Sequence, residues 1–444
     1  MEPKVHYSTL GGRCLGQLPE RLSMQQQQLI NQHTFANGLT LVAQSMPWLQ
    51  SAAFTMAFPS GCRFDPLTQL GLANFTCEMS FRCGGSYDNR GLVEKLEELG
   101  CDYYSNTGIY HTFFGGALPA DGLFEAIRVY KDVLRAPHFP EAQLEDGRNT
   151  CLQEIQALED DLAGKSMLAL RLRHYGHPYG RNADGETDAV NQITLKEIKN
   201  YYQNHYHPQS AIIGVAGNVD WEPLKDLIGQ LFADWQPQPV NEPVEAGAQH
   251  GYHHIPFESN QTHISIGWPG LAYRDEDYYL LRGAIGVLSD GMSSRLFREV
   301  REQRGLCYTV SASCHSIHDR GAIFGYAGTT TQSSQETLNV MLEQIELLAQ
   351  GVTEKELDRL KVQFRSGLIM QQESCRSRVS TITGDIFHLG RVRTLDEVNE
   401  RINSLTPAQI NRYLENNPPG PFDIVTLGEQ PLEVNGAIPT TSAR

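Results

Sequence analysis

The chain has 444 residues, 40% of them hydrophobic and 20% charged, with a formal net charge of −16 at pH 7. That length exceeds one ordinary domain and is enough for two sizeable cores. The acidic balance argues against a general affinity for nucleic acid or for anionic membrane. No stretch is long and apolar enough to span a bilayer, and the N-terminal segment has no basic start ahead of an apolar core, so no secretory signal is read there. Nine cysteines, at 14, 62, 77, 83, 101, 151, 307, 314 and 375, are scattered without a C-x-x-C pair. They read as reduced thiols, and a cytoplasmic location is expected.

In chain order, residues 1–28 read as a polar tail. AAFTMAFPSGCRFDP at 52–66 alternates as a half-buried strand and ends in a Pro/Gly turn. GLANFTCEMSF at 71–81 reads as a helix. On it Asn74 and Glu78 share a face, with Cys77 beside them at i+3. Residues 125–156 predict an amphipathic helix, a short turn and a second helix starting near Pro140. Residues 188–220 give a capped helix, a Pro-containing turn and an apolar strand. QPQPVNEPVEAGAQH at 236–250 then reads as an exposed linker, because it holds three prolines and no apolar period.

The same order follows a second time. HISIGWPGLAYRDED (263–277), the helix pair at 339–370 with its second helix starting at Thr353, and the helix–turn–strand at 396–429 repeat the first half. The predicted fold is therefore α+β, with two similar domains, each a mostly antiparallel sheet with helices packed on one face. Their extents are 29–235 and 251–430, and a tail covers 431–444.

In LFREVREQRGLCYTV the helix is read to Gln303, Gly305 ends it and YTVSASC begins a strand, so Arg301 and Tyr308 fall near one strand edge. A guanidinium and a phenol can each donate to a developing oxyanion. Taken alone, such a pair is more often a surface ion pair and a packed aromatic. His174 and His177, His205 and His207, and His253 and His254 lie in segments that read as turns, so solvated or capping roles are expected. The SSR run at 293–295 reads as a helix N-cap rather than a phosphate cradle, and no nucleotide site is evident.

Five stretches carry a family resemblance: FANGLTLVAQ (35–44), GLANFTCEMSF (71–81), HPYGR (177–181), YYQNHYHPQSAIIGVAGNVD (201–220) and GMSSRLFREVREQRGLCYTVSA (291–312). The chain resembles, over about 35–430, the pitrilysin or insulinase-type (inverzincin) metallopeptidases, in the branch of the mitochondrial processing peptidase and its bacterial relatives. In that family an H-x-x-E-H helix supplies two zinc-binding histidines and a general-base Glu, and a Glu on a later helix is the third ligand. The matching positions here are Asn74, Cys77, Glu78 and Glu154, with Gln153 one residue away.

The resemblance thus implies a degenerate zinc motif. A neutral amide donates weakly to zinc, and a thiol stands where a carboxylate must deprotonate water. Cys77, Glu78 and Glu154 would converge on one ion only with distortion, because adjacent helical residues point about 100° apart. No metal is expected at these four positions and no cofactor in this chain, with zinc expected in a partner. Arg301 and Tyr308 match the family's pair that binds substrate and polarises its scissile carbonyl.

Bacterial members of the branch can divide the two motifs between two chains. The resemblance therefore implies a non-catalytic, substrate-binding subunit of a heterodimer, paired with a homologous subunit that carries an intact H-x-x-E-H and acting on an unfolded or extended peptide. An autonomous zinc metalloendopeptidase with atypical ligands and a proteolysis-independent scaffold are the alternatives.

Overall fold

In the computed structural model the described residues are 28–239 and 242–434. The first sheet comprises β1 (Leu29–Thr34), β2 (Thr40–Ser45), β3 (Ser51–Phe58), β4 (Asp102–Thr107), β5 (Thr112–Pro119) and β6 (Ile212–Gly217). The second comprises β7 (Tyr252–Pro256), β8 (Gln261–Gly270), β9 (Cys307–Ile317), β10 (Arg320–Thr330) and β11 (Asp423–Gly428). Their orders are β1-β2-β6-β3-β5-β4 and β7-β11-β8-β10-β9. Each sheet is antiparallel except at one pair, β2 with β6 and β7 with β11. Without β1 the two orders coincide strand for strand, so the repeat in the sequence is a repeat of topology. It makes β4 and β9 equivalent edge strands.

The alternation read in the sequence sorts the faces. In β3, Phe54, Met56 and Phe58 enter the large core of the first half with Leu41 and Ile213, while Ala53 and Ala57 point the other way. Helices Leu72–Ser80, Leu123–Arg135, Leu144–Asp160 and Leu195–His205 build that core, and Tyr278–Ser289, Ser334–Leu347, Glu354–Gln371 and Pro407–Asn416 build its counterpart. Capping boxes begin three of them, at Thr194, Thr353 and Thr406. In each, the Thr hydroxyl and the N3 side chain satisfy two backbone N–H groups that the helix leaves orphaned. The helix expected near Pro140 begins at Leu144, after a single 3₁₀ turn over Glu141–Gln143.

The expectation of helices on one face only is incomplete. Helix Cys375–Leu389, from the second half, lies across the opposite face of the first sheet. There Val379, Ile382 and Ile386 meet Val42, Ala53, Ala57, Ile212 and Ala216. In return helix Leu162–Tyr175, from the first half, sets Leu170 on Ala322, Phe324 and Val425 of the second sheet. Each half thus covers the other's sheet, and each buried aliphatic side chain contributes about 2 kcal/mol.

Two of the polar contacts within these seams stand out, although the buried Thr383 hydroxyl in the first seam has no partner. Arg378, 1% exposed, donates from Nε and Nη2 to Gln44 Oε1 at 2.9 and 2.6 Å. Ser166 Oγ lies 2.8 Å from Ser265 Oγ. The connecting segment is exposed as expected, yet tied to both halves. Glu242 pairs with Arg63 at 2.9 Å and Glu245 with Arg320 at 2.5 Å, and the Gln249 N–H donates to the Arg173 carbonyl at 2.9 Å.

Candidate functional site

Helix Leu72–Ser80 is launched from Gly71 at φ +100°, where an added Cβ would lie 2.7 Å from Val190 Cγ2 and 2.8 Å from the Asp184 carbonyl. The buried Asp65 carboxylate accepts the N–H groups of Gly71 and Ala73, both at 2.9 Å, and so caps the helix from a distance. Behind the helix, Phe75 and Met79 are fully buried.

The four positions expected to be degenerate are engaged with protein groups. Asn74, buried, donates from Nδ2 to Glu154 Oε2 at 2.8 Å. Glu78 is held by Arg82, whose Nη2 lies 2.6 Å from Oε1 and also donates to Thr150 Oγ1 at 3.2 Å. Cys77 is 2% exposed and within reach of the Ser105 and Thr107 hydroxyls of β4, and burial pushes its thiol up to about 12. Partial desolvation of the Glu154 carboxylate, on a residue otherwise exposed, raises its pKa. The Asn74 N–H opposes that rise, and the charges of Asp184 and Glu78 add to it. Gln153 is exposed and joins no hydrogen bond among the described residues.

These residues do not fit zinc. The amide spends its N–H on the one carboxylate that is a third-ligand candidate, Arg82 occupies the other, and burial opposes the thiolate form of Cys77. The Cys77, Glu78 and Glu154 donor atoms do not gather as a ligand cluster among the described residues. Arg82 was not singled out from the sequence, although its i+4 spacing from Glu78 is a readable signal.

At the other end of the chain the helix read up to Gln303 is instead a π-helix over Phe297–Glu302, in which the Gln303 N–H reaches back five residues to the Arg298 carbonyl at 2.9 Å. Single π turns of this kind concentrate at functional sites. Ser294 stands where the SSR run predicts a cap, but its buried hydroxyl makes no bond, so the capping reading does not hold. What anchors this segment is Arg295. It donates to both carboxylate oxygens of Glu356 at 2.8 and 3.0 Å and to the Gly351 carbonyl at 2.8 Å.

The strand that follows begins at Cys307 and carries Tyr308 on a bulge. Thr309 faces Gly328 and Cys307 faces Thr329, which leaves Tyr308 as the unopposed residue. A bulge re-aims a side chain, and Tyr308 is 82% exposed. The Arg301 guanidinium lies over the Tyr308 ring at 5.0 Å and over Phe297 at 4.9 Å. Arg301 and Tyr308 are therefore adjacent, on an open sheet edge. The positions around Asn74 belong to the equivalent edge of the other half, and no hydrogen bond or ring contact joins the two sets among the described residues.

The histidines depart from expectation. His253 and His254 lie within β7 rather than in a turn, and His207 is 1% exposed with neither ring nitrogen bonded. His205 stacks on Phe64 at 4.5 Å, and the His174 side chain is only 8% exposed beside Asp423. Long-range packing against residues far away in sequence overrides the local turn signals.

Two equivalent α+β halves, with a peptidase-type helix that has lost its imidazoles, define a metallopeptidase-like chain. Residues 40–176 match the family described as "Insulinase (Peptidase family M16)", and residues 192–364 match "Peptidase M16 inactive domain", together more than half of the chain. The chain belongs to the insulinase family, peptidase family M16.

It is similar to the uncharacterized zinc protease YmxG of Bacillus subtilis, with 26% identity over 86% of this chain and 94% of that one. It is also similar to the uncharacterized zinc protease Rv2782c of Mycobacterium tuberculosis, with 27% identity over 85% and 88% of the two chains. In fold it is similar to a peptidase M16 inactive domain from Pseudomonas fluorescens, with TM-score 0.83, 22% identity and coverage of 91% and 99%. A protease from Helicobacter pylori has TM-score 0.82 at 18% identity, with coverage of 90% and 99%.

Proposed function

We propose that this chain is the non-catalytic, substrate-binding subunit of a two-chain zinc metallopeptidase, supplying Arg301 and Tyr308 to peptide-bond hydrolysis by a homologous chain with an intact H-x-x-E-H. The observation that carries the reading is a contrast. Tyr308 is presented to solvent on a bulge against Arg301, while the zinc-helix positions are closed by the Asn74–Glu154 and Glu78–Arg82 bonds.

A peptide carbonyl seated between the phenol and the guanidinium would receive donors from both, and its developing negative charge would be stabilised by them. β9 is an edge strand, with backbone groups on its outer side available to an extended peptide. Curated relatives named as zinc proteases support a role in proteolysis. Zinc belongs to the partner in this proposal, and a cytoplasmic setting is part of it.

The test is co-purification with a homologous H-x-x-E-H chain followed by cleavage of an unfolded peptide. The isolated chain is expected to cleave nothing measurable, and the pair to turn over. Arg301→Ala and Tyr308→Phe should each lower kcat by roughly 10²-fold, the size of losing one oxyanion donor. Unchanged turnover in both variants would leave a scaffold. Turnover by the pure chain, lost on Cys77→Ala together with bound zinc, would make it an autonomous peptidase.

A further inference from the structure

We propose that His174, His250 and Asp423 form a site for one first-row divalent transition-metal ion that staples the two halves to the segment connecting them. The site lies apart from the peptidase motifs and does not rest on the reading above. Among the described residues these are the His, Cys, Asp or Glu side chains whose ligand atoms all fall within 4.8 Å of one another.

Topology brings them together. Asp423 opens β11, and β7, its parallel partner, starts two residues after His250, so the connecting segment enters the sheet beside Asp423. The Gly251 N–H donates to Asp423 Oδ1 at 2.8 Å, which turns Oδ2 toward the imidazoles. Helix Leu162–Tyr175 crosses the same sheet on Leu170 and ends with His174 over the carboxylate. Edge-on packing against Tyr175 and Phe324, with ring centroids at 5.1 and 5.6 Å, fixes the His174 ring.

The distances suit an ion. His174 Nδ1 and His250 Nδ1 lie 2.7 and 3.0 Å from Asp423 Oδ2. Two donors bound at about 2.1 Å stand about 3.0 Å apart at right angles and about 3.4 Å apart at the tetrahedral angle, so an ion can replace the protons that now bridge these atoms once the side chains open by a few tenths of an ångström. Two imidazoles and a carboxylate are a borderline set that favours Zn²⁺ or Co²⁺ over Mg²⁺ or Ca²⁺.

The Asp423 side chain is 3% exposed and that of His250 63%, so the charge is buried while one ligand opens to solvent as the path of entry. Loading moves the proton of each neutral imidazole from Nδ1 to Nε2, and a protonated imidazole releases one proton, so affinity falls as pH is lowered. Arg173 shares the field of Asp423 and opposes the cation.

The full chain, stripped with a chelator, is titrated with Co²⁺ and followed by its visible d–d absorption, then back-titrated with Zn²⁺. One equivalent per chain is expected. His250→Ala, at an exposed position that leaves the fold intact, should weaken binding more than 10-fold, and Asp423→Asn should do the same. Glu154→Gln and Cys77→Ser should leave it unchanged. Zn²⁺ should also raise the thermal midpoint of the wild type and not of His250→Ala. No binding at millimolar Co²⁺, which reduces the cluster to a hydrogen-bonded clamp, would overturn the proposal, as would binding that His250→Ala leaves intact or that Cys77→Ser abolishes.

Discussion

Glu356 shows how one side chain holds the region of the Arg–Tyr pair in place. It caps its own helix through Thr353 and receives both arms of Arg295, two residues ahead of the π-helix that carries Arg301. Burial alone would raise its pKa, but the Arg295 hydrogen bonds and the Thr353 cap outweigh that and bring it down from 4.5 to about 2. A folded pKa below the unfolded one stabilises fully above the ordinary value and is lost as pH falls toward the folded one. Glu356→Gln is thus expected to cost about 3 kcal/mol at pH 7, a difference that closes between about pH 4.5 and pH 2. Urea denaturation of both proteins across that range checks it, and a gap independent of pH would assign the role of Glu356 to shape rather than charge.

At the scale of elements, helix Cys375–Leu389 carries a flaw that invites repair. Gly384 lies within it, and an added Cβ there meets nothing within 4 Å. The residue borders a cavity of about 400 Å³ between the helix and the first sheet, lined also by Thr55, Tyr110 and Phe387. Gly384→Ala is expected to stabilise the chain by about 1 kcal/mol, because alanine loses less backbone freedom on entering a helix and the cavity accepts the methyl group. A higher denaturation midpoint at unchanged m-value is the expected reading, and a lowered midpoint would mean that the cavity is needed as it is.

For the whole molecule, the exchange of helices across the two sheets couples the halves. Residues 29–235 expressed alone lack helix Cys375–Leu389, and so expose the face formed by Val42, Ala53, Ala57, Ile212 and Ala216. A bare apolar sheet face of this kind binds hydrophobic dyes and promotes association. The isolated first half is expected to bind ANS and to unfold with less cooperativity than the full chain, which should show a single transition. A monomeric, dye-silent first half with a sharp transition would show that the exchange is not needed for folding.

What the sequence by itself determined is local or periodic. The missing imidazoles at positions 74 and 78 are visible as letters, the duplication shows in the order of segments, and the start at Thr353 follows from a capping residue three positions ahead of its Glu partner. The adjacency of Arg301 and Tyr308 was anticipated from a helix end meeting a strand. The π turn and the bulge that set their orientation were not, since both depend on how β9 registers with β10.

Tertiary structure alone decided that Glu154 closes the Asn74 position and which face each crossing helix covers. Asn74 meets Glu154 across 80 residues and His174 meets Asp423 across 249, and no local pattern encodes a partner so remote. Side-chain chemistry is carried by the residue, but pairing in a folded chain is settled by packing, where burial makes an unmatched polar group costly and selects the arrangement that satisfies it.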